Sequence, residues 1–136
     1  MEIFKKGLVS LTTMVENDGF EPVGKFKLKG ENLEIDYCLK YFNKKEIIQC
    51  WTVDNGIFGS IVYVGLTKQG IIGREKTMKG GFKGASKSGI IHYKYLKQWI
   101  ESGFNIKIYQ YETKQNENIA NMRKIFKDSE TVKLFV

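Results

Sequence analysis

The chain of 136 residues is short of the residues that usually advertise a site. It has one histidine, His92, and two cysteines, Cys38 and Cys50, without metal-ligand spacing, which argues against a zinc centre. The cysteines are expected to be reduced and buried in a cytoplasmic protein. A single proline and no long polar tract leave little room for disorder. No apolar run approaches the length of a membrane span. The start, MEIFKKGLVSLTTMVEND, has two lysines before a short apolar stretch containing Ser10, Thr12 and Thr13, and reads as a helix, not a leader. Hydrophobic residues at 42% and charged residues at 27% are ordinary globular values, and the length fits one domain, 1–136.

What the chain does have is positive charge, unevenly placed. Its net charge is +7. Residues 1–65 hold eight lysines against nine acids, whereas 66–136 hold fourteen cationic residues against six acids. Lys68, Arg74, Lys76, Lys79, Lys83, Lys87, Lys94 and Lys97 follow one another with only Glu75 between them as an acid. A cluster of this kind is the electrostatic footprint of a phosphate-backbone binder, so nucleic acid is the expected partner.

Periodicity outlines an α+β fold with a small, mostly antiparallel sheet flanked by helices. Phe4, Leu8, Leu11 and Val15 predict an N-terminal helix. Lys25 to Lys29 and Leu33 to Tyr41 predict strands joined by a turn at Lys29 to Asn32. Glu46 to Val53 and Ile61 to Gly65 complete an expected four-strand meander. Leu66 to Lys76 predicts a helix with Arg74 on its first turns. Ser88 to Ser102 predicts another, with Ile91, Tyr95, Leu96, Trp99 and Ile100 on its apolar side. A strand at Ile106 to Tyr111, a helix at Asn116 to Phe126 and an edge strand at Val132 to Val136 follow.

The segment IVYVGLTKQGIIGR, Ile61 to Arg74, combines a strand ending in Tyr-Val-Gly with an arginine eleven residues past the tyrosine. With the glycine-rich MKGGFKGASKSG, the helix IIHYKYLKQWIESG and the strand FNIKIYQYE after it, this resembles the GIY-YIG nuclease superfamily. The resemblance covers residues 47–127, with 1–46 as an N-terminal helix and hairpin extension. It is a divergent likeness, because the first signature strand should carry a second tyrosine and here reads EIIQCWTV, with Gln49, Cys50 and Trp51.

The resemblance implies a metal-dependent DNA endonuclease of restriction-like or mobile-element type, with RNA as the other substrate class. Tyr63 would help activate the attacking water, a task for which a phenol needs positive charge nearby. Arg74 would hold the phosphate, since guanidinium keeps its charge and presents parallel donors to two oxygens. It is one of only two arginines. A carboxylate on the late helix would bind Mg²⁺ or another divalent cation, and Glu117 is the nearest acid, with Glu112 as the other candidate. Imidazole is the side chain whose ordinary titration range suits proton transfer near neutrality, which makes His92 a further candidate. His92, Tyr41, Lys76 and Lys79 are the candidates to stand in for the missing tyrosine. Lys68, Lys76, Lys79, Lys83 and Lys87 would track the backbone, and Met78 to Gly89 is expected as a mobile loop that orders on nucleic acid. Cutting both strands takes two sites or a second visit, so a homodimer is one expected form. The alternative is a catalytically degenerate nucleic-acid-binding protein on the same fold.

Overall fold

The computed structural model describes residues 9–10, 20–37, 47–67, 79–112, 118 and 121. They form an antiparallel sheet packed by a helix, an α+β architecture. The strands are β1 (Val9–Ser10), β2 (Glu21–Lys29), β3 (Asn32–Tyr37), β4 (Ile47–Asp54), β5 (Phe58–Thr67) and β6 (Asn105–Glu112), with helix α1 (Lys87–Glu101) between β5 and β6. Across the sheet the order is β1-β5-β4-β6-β2-β3.

This order replaces the expected meander. β6 comes last in sequence yet lies between β4 and β2, with Gln49 opposite Gln110 on one edge and Lys25 opposite Lys107 on the other. Its composition explains the place: Ile106 and Ile108 join the core beneath α1, while Tyr109 and Tyr111 join the apolar cluster on the opposite face. A strand with two apolar faces belongs in the middle of a sheet. β4 is its equal, with all eight residues buried.

The two hairpins close as their turn residues dictate. Between β2 and β3, Gly30 takes φ 63°, a left-handed conformation that suits glycine, and Leu28 then faces Leu33 while Phe26 faces Ile35. Between β4 and β5, Asp54 Oδ1 accepts from Gly56 N at 2.9 Å and from Asn105 Nδ2 at 3.1 Å, tying the turn to the start of β6. β5 is longer than expected at both ends, and its pairing with β4 slips at Val62, so that Trp51 faces Tyr63 but Thr52 faces Ile61. Val9–Ser10, expected inside a helix, is instead a short strand on the free edge of β5. Neither residue is a strong helix former, and an open sheet edge offers their backbone ready partners. The rest of the expected Phe4 to Val15 helix, the Leu66 to Lys76 helix beyond Thr67 and the Val132 to Val136 strand lie outside the described residues. Of the last helix, Asn121 is helical, and its N–H donates to Asn118 Oδ1 at 3.1 Å, the bond of an N-cap.

Ser86 caps α1 by accepting from Gly89 N at 3.0 Å. At the other end Phe104 N donates to Trp99 O and Gly103 N to Ile100 O, with Gly103 at φ 91°, a paired closure that turns the chain straight into β6. The inner side of the helix is Gly89, Leu96 and Trp99. Ile91 and Tyr95, expected inside, are 49% and 37% exposed. The reason lies in the glycine segment, where Gly81–Ala85 is not the expected open loop but coils and then kinks at Gly84, whose φ of 112° is not helical, just before α1 begins. A side chain on Gly89 would start 2.6 Å from Gly81 Cα, so the two glycines permit a close crossing that sets which way α1 faces. Among the described residues no helix is long and apolar enough to cross a membrane.

A strap joins α1 to the β2–β3 turn. Tyr93 Oη donates to Glu31 O at 2.6 Å and the Lys97 ammonium donates to Glu31 Oε2. The hydrogen bond and charge of Lys97 hold the Glu31 carboxyl below its usual range, and Glu31 in turn raises the Lys97 ammonium above its own.

Two outcomes follow for stability. Gly89→Ala should lower the urea midpoint by an amount equivalent to about 1–3 kcal/mol through overpacking, whereas Gly80→Ala, in a helical conformation with nothing within 4 Å, should be neutral or stabilising. Glu31→Gln should be slightly less stable than wild type at neutral pH. A depressed carboxyl contributes stability above its unfolded value of 4.5 and loses it as pH falls through the folded one, so the difference should vanish in acid. The raised ammonium of Lys97 gives the opposite limit, with its contribution fading as pH rises past 10.5.

Candidate functional site

Tyr63 stands on β5, half-buried, with its ring stacked on Trp51 of β4 at 4.2 Å between centroids and 29° between planes. The pairing of Trp51 with Tyr63 across the β4–β5 ladder produces this contact directly. His92 comes down from α1 and meets both rings edge-on, at 5.6 Å from Tyr63 and 5.4 Å from Trp51. Trp51 is only 1% exposed and its Nε1 donates to Gln49 Oε1 at 3.0 Å. Phe26 packs edge-on against the other side of Trp51 at 5.0 Å. The indole is therefore fixed on all sides, and it fixes the phenol in turn.

The Tyr-Val-Gly string has a packing reason. Residues two apart share a face of a strand, so the Tyr63 ring extends over Gly65. A Cβ on Gly65 would lie 2.5 Å from Tyr63 Cζ. Gly65 is in register with Gln49, and Gln49 with Gln110. The hydroxyl end of Tyr63 thus overhangs a row of two buried amides, Gln49 at 2% and Gln110 at 1% exposure. Among the described residues Gln49 Nε2 and both amide atoms of Gln110 have no hydrogen-bond partner. Gln110 was not anticipated as a site residue. Its signal was a glutamine in an apolar strand, IKIYQYE, where an unpaired amide is costly.

Of the residues singled out from sequence, the structure brings Tyr63 and His92 together. Lys79 and Lys83 lie elsewhere, on the walls of a crevice of about 460 Å³ that Phe82, Tyr93 and the β2–β3 turn complete. Lys87 is exposed at the start of α1. Arg74, Glu117, Lys68, Lys76, Tyr41 and Cys38 lie outside the described residues. Glu112 ends β6, its backbone in register with Ile47. Cys50 is buried and in no disulfide. Among the described residues no three His, Cys, Asp or Glu side chains gather in a way that could hold a metal ion.

Gly65→Ala should displace the Tyr63 ring. The expected result is a stability loss of about 1–3 kcal/mol, together with a changed chemical shift of the His92 ring protons, which sit in the ring currents of Tyr63 and Trp51. Compared with protein-family models, with curated proteins and with solved structures, the chain finds no match in any of the three.

Proposed function

We propose that the chain is a metal-dependent DNA endonuclease that hydrolyses phosphodiester bonds, a divergent protein of the GIY-YIG kind. The observation that carries this reading is the Tyr63–His92 pair, a hydroxyl and an imidazole of the kind that orient water and move a proton, set edge to face where α1 crosses β5, the strand that precedes Arg74 in sequence. Of the series on which the resemblance stands, the strand β5, the glycine segment, α1 and β6 are among the described residues and support the reading, while the basic helix lies outside them.

In this reading water attacks phosphorus while the Tyr63 hydroxyl orients it and the neutral His92 imidazole takes its one proton, and the P–O bond to the departing oxygen breaks as that oxygen takes a proton from solvent. Trp51 keeps the phenol from turning away. Arg74 clamps the phosphate and disperses the charge that grows on it. A divalent cation held by Glu117 would supply further charge neutralisation when bound. That carboxylate is assigned by resemblance alone, since the described residues offer no ligand set.

One observation favours the second reading, a degenerate nucleic-acid-binding protein. Where the resemblance calls for a second tyrosine, β4 presents Gln49 and Trp51 to Tyr63, and neither is a proton acceptor of use to water. Supercoiled plasmid distinguishes the two. With Mg²⁺ present, wild type should nick the plasmid, chelation should stop it, and Tyr63→Phe or His92→Ala should slow it by roughly a hundredfold or more. Tight binding without nicking would establish the second reading, and undiminished nicking by both variants would overturn the first.

A further inference from the structure

The outward side of α1 has an unusual make-up. At 100° per residue, Lys94 stands opposite the inner side of Gly89, Leu96 and Trp99, and Ile91 lies beside it on the outward side, one turn from Lys87, Lys94 and Tyr95 and two from Gln98. Ile90 and Ile91 are each 49% exposed and Tyr95 is 37% exposed. Single exposed apolar residues are common, and Ile90 turns toward the flank of Tyr93 and Lys97, but Ile91 lies one turn from Tyr95, whose ring packs on Trp99 at 5.8 Å, and Ile91 itself is not part of the core. Lys87, Lys94 and Gln98 are exposed among them. The first turn of the helix holds no acid, and Glu101, its last residue, is its only one.

We infer that this side of α1 docks duplex DNA in the major groove. The charge decides the class of partner: an apolar ridge bordered by lysines and almost free of acids suits a polyanion. The chemistry decides the groove. Fifteen residues make a rod roughly 22 Å long, and the major groove, about 12 Å wide, admits a helix and presents thymine methyl groups that aliphatic side chains contact and adenine edges that a glutamine amide reads. Lys87 and Lys94 then meet phosphates, Ile91 the groove floor and Gln98 a base edge. Position supports the same assignment, because Tyr95 lies one turn from His92 on the side of α1 that faces Tyr63. A duplex on this face has a strand beside the Tyr63–His92 pair. The opposite flank, with Tyr93 and Lys97, is already taken by the β2–β3 turn.

The inference rests on the nucleic-acid reading above for its partner but does not require cleavage. The test is anisotropy of a labelled mixed-sequence duplex over a salt series, with nicking followed in parallel. Lys87→Ala and Lys94→Ala should each reduce the slope of log affinity against log salt by about 1. Ile91→Glu, which sets a carboxylate in the middle of the face, should weaken binding roughly tenfold or more. Circular dichroism and the unfolding midpoint should match wild type, because the residue is exposed. Binding by Ile91→Glu and Lys94→Ala equal to wild type overturns the inference while leaving the nuclease reading untouched. Wild type that binds no duplex overturns it too. An Ile91→Glu variant that changes only the sedimentation of the protein assigns the face to a second copy instead, and one that loses only an acidic protein ligand assigns it there. Normal binding of DNA through α1 without nicking upholds the inference and removes the enzyme.

Discussion

Trp51 can face Tyr63, and both can face His92, only because β4 is closed on its two edges and covered on its two faces. β5 takes one edge and β6 the other, and every residue from Ile47 to Asp54 is buried. Such a strand has no freedom to slide, since a slip of one residue would turn its apolar positions out of the core. What it fixes on the α1 side is mixed in character. Ile47, Trp51 and Val53 join the core there, while Gln49 brings an amide whose oxygen is spent on the indole. Rigidity and polarity thus meet at one place on the sheet. That place is the row over which Tyr63 extends.

Much of this was legible in the chain. Alternation and turn residues locate the β2–β3 hairpin, and the apolar runs locate β4, β5 and β6. The helix from Lys87 is recognisable by its spacing. What escaped were consequences of long-range contact. Nothing local tells that β6 inserts between two hairpins, because strand order is settled by which edges need covering. Periodicity also cannot tell Ile91 from Leu96 as the inward residue. The crossing of Gly81 and Gly89 settles that, and it is a property of two segments together. For the site, Tyr63 and Gly65 were readable from their string, and His92 from being the sole histidine. Gln110 was visible only as an oddity in an apolar strand until its register with Gln49 gave it a neighbour.

The cationic half of the chain proves less uniform than its composition implies. Lys79 and Lys83 share a crevice with Glu31 and Glu34, and Lys97 is tied to Glu31, so part of the positive charge is answered within the fold. Lys87 and Lys94 stand exposed on the far side of α1. Long-range attraction for a polyanion depends on the sum, but its docked orientation depends on which lysines remain unanswered. The structure therefore separates charge that shapes the protein from charge turned outward.

The slip at Val62 sets where the phenol points. Upstream of it, Ile61 joins the cluster on the face away from α1, while Val62 and Tyr63 both pack on the α1 side. The strand changes phase within a single residue. Strict alternation from Ile61 would put Val62 on the α1 side and turn the phenol to the opposite face. The one unpaired residue at Val62 is therefore what aims Tyr63 at Trp51 and His92.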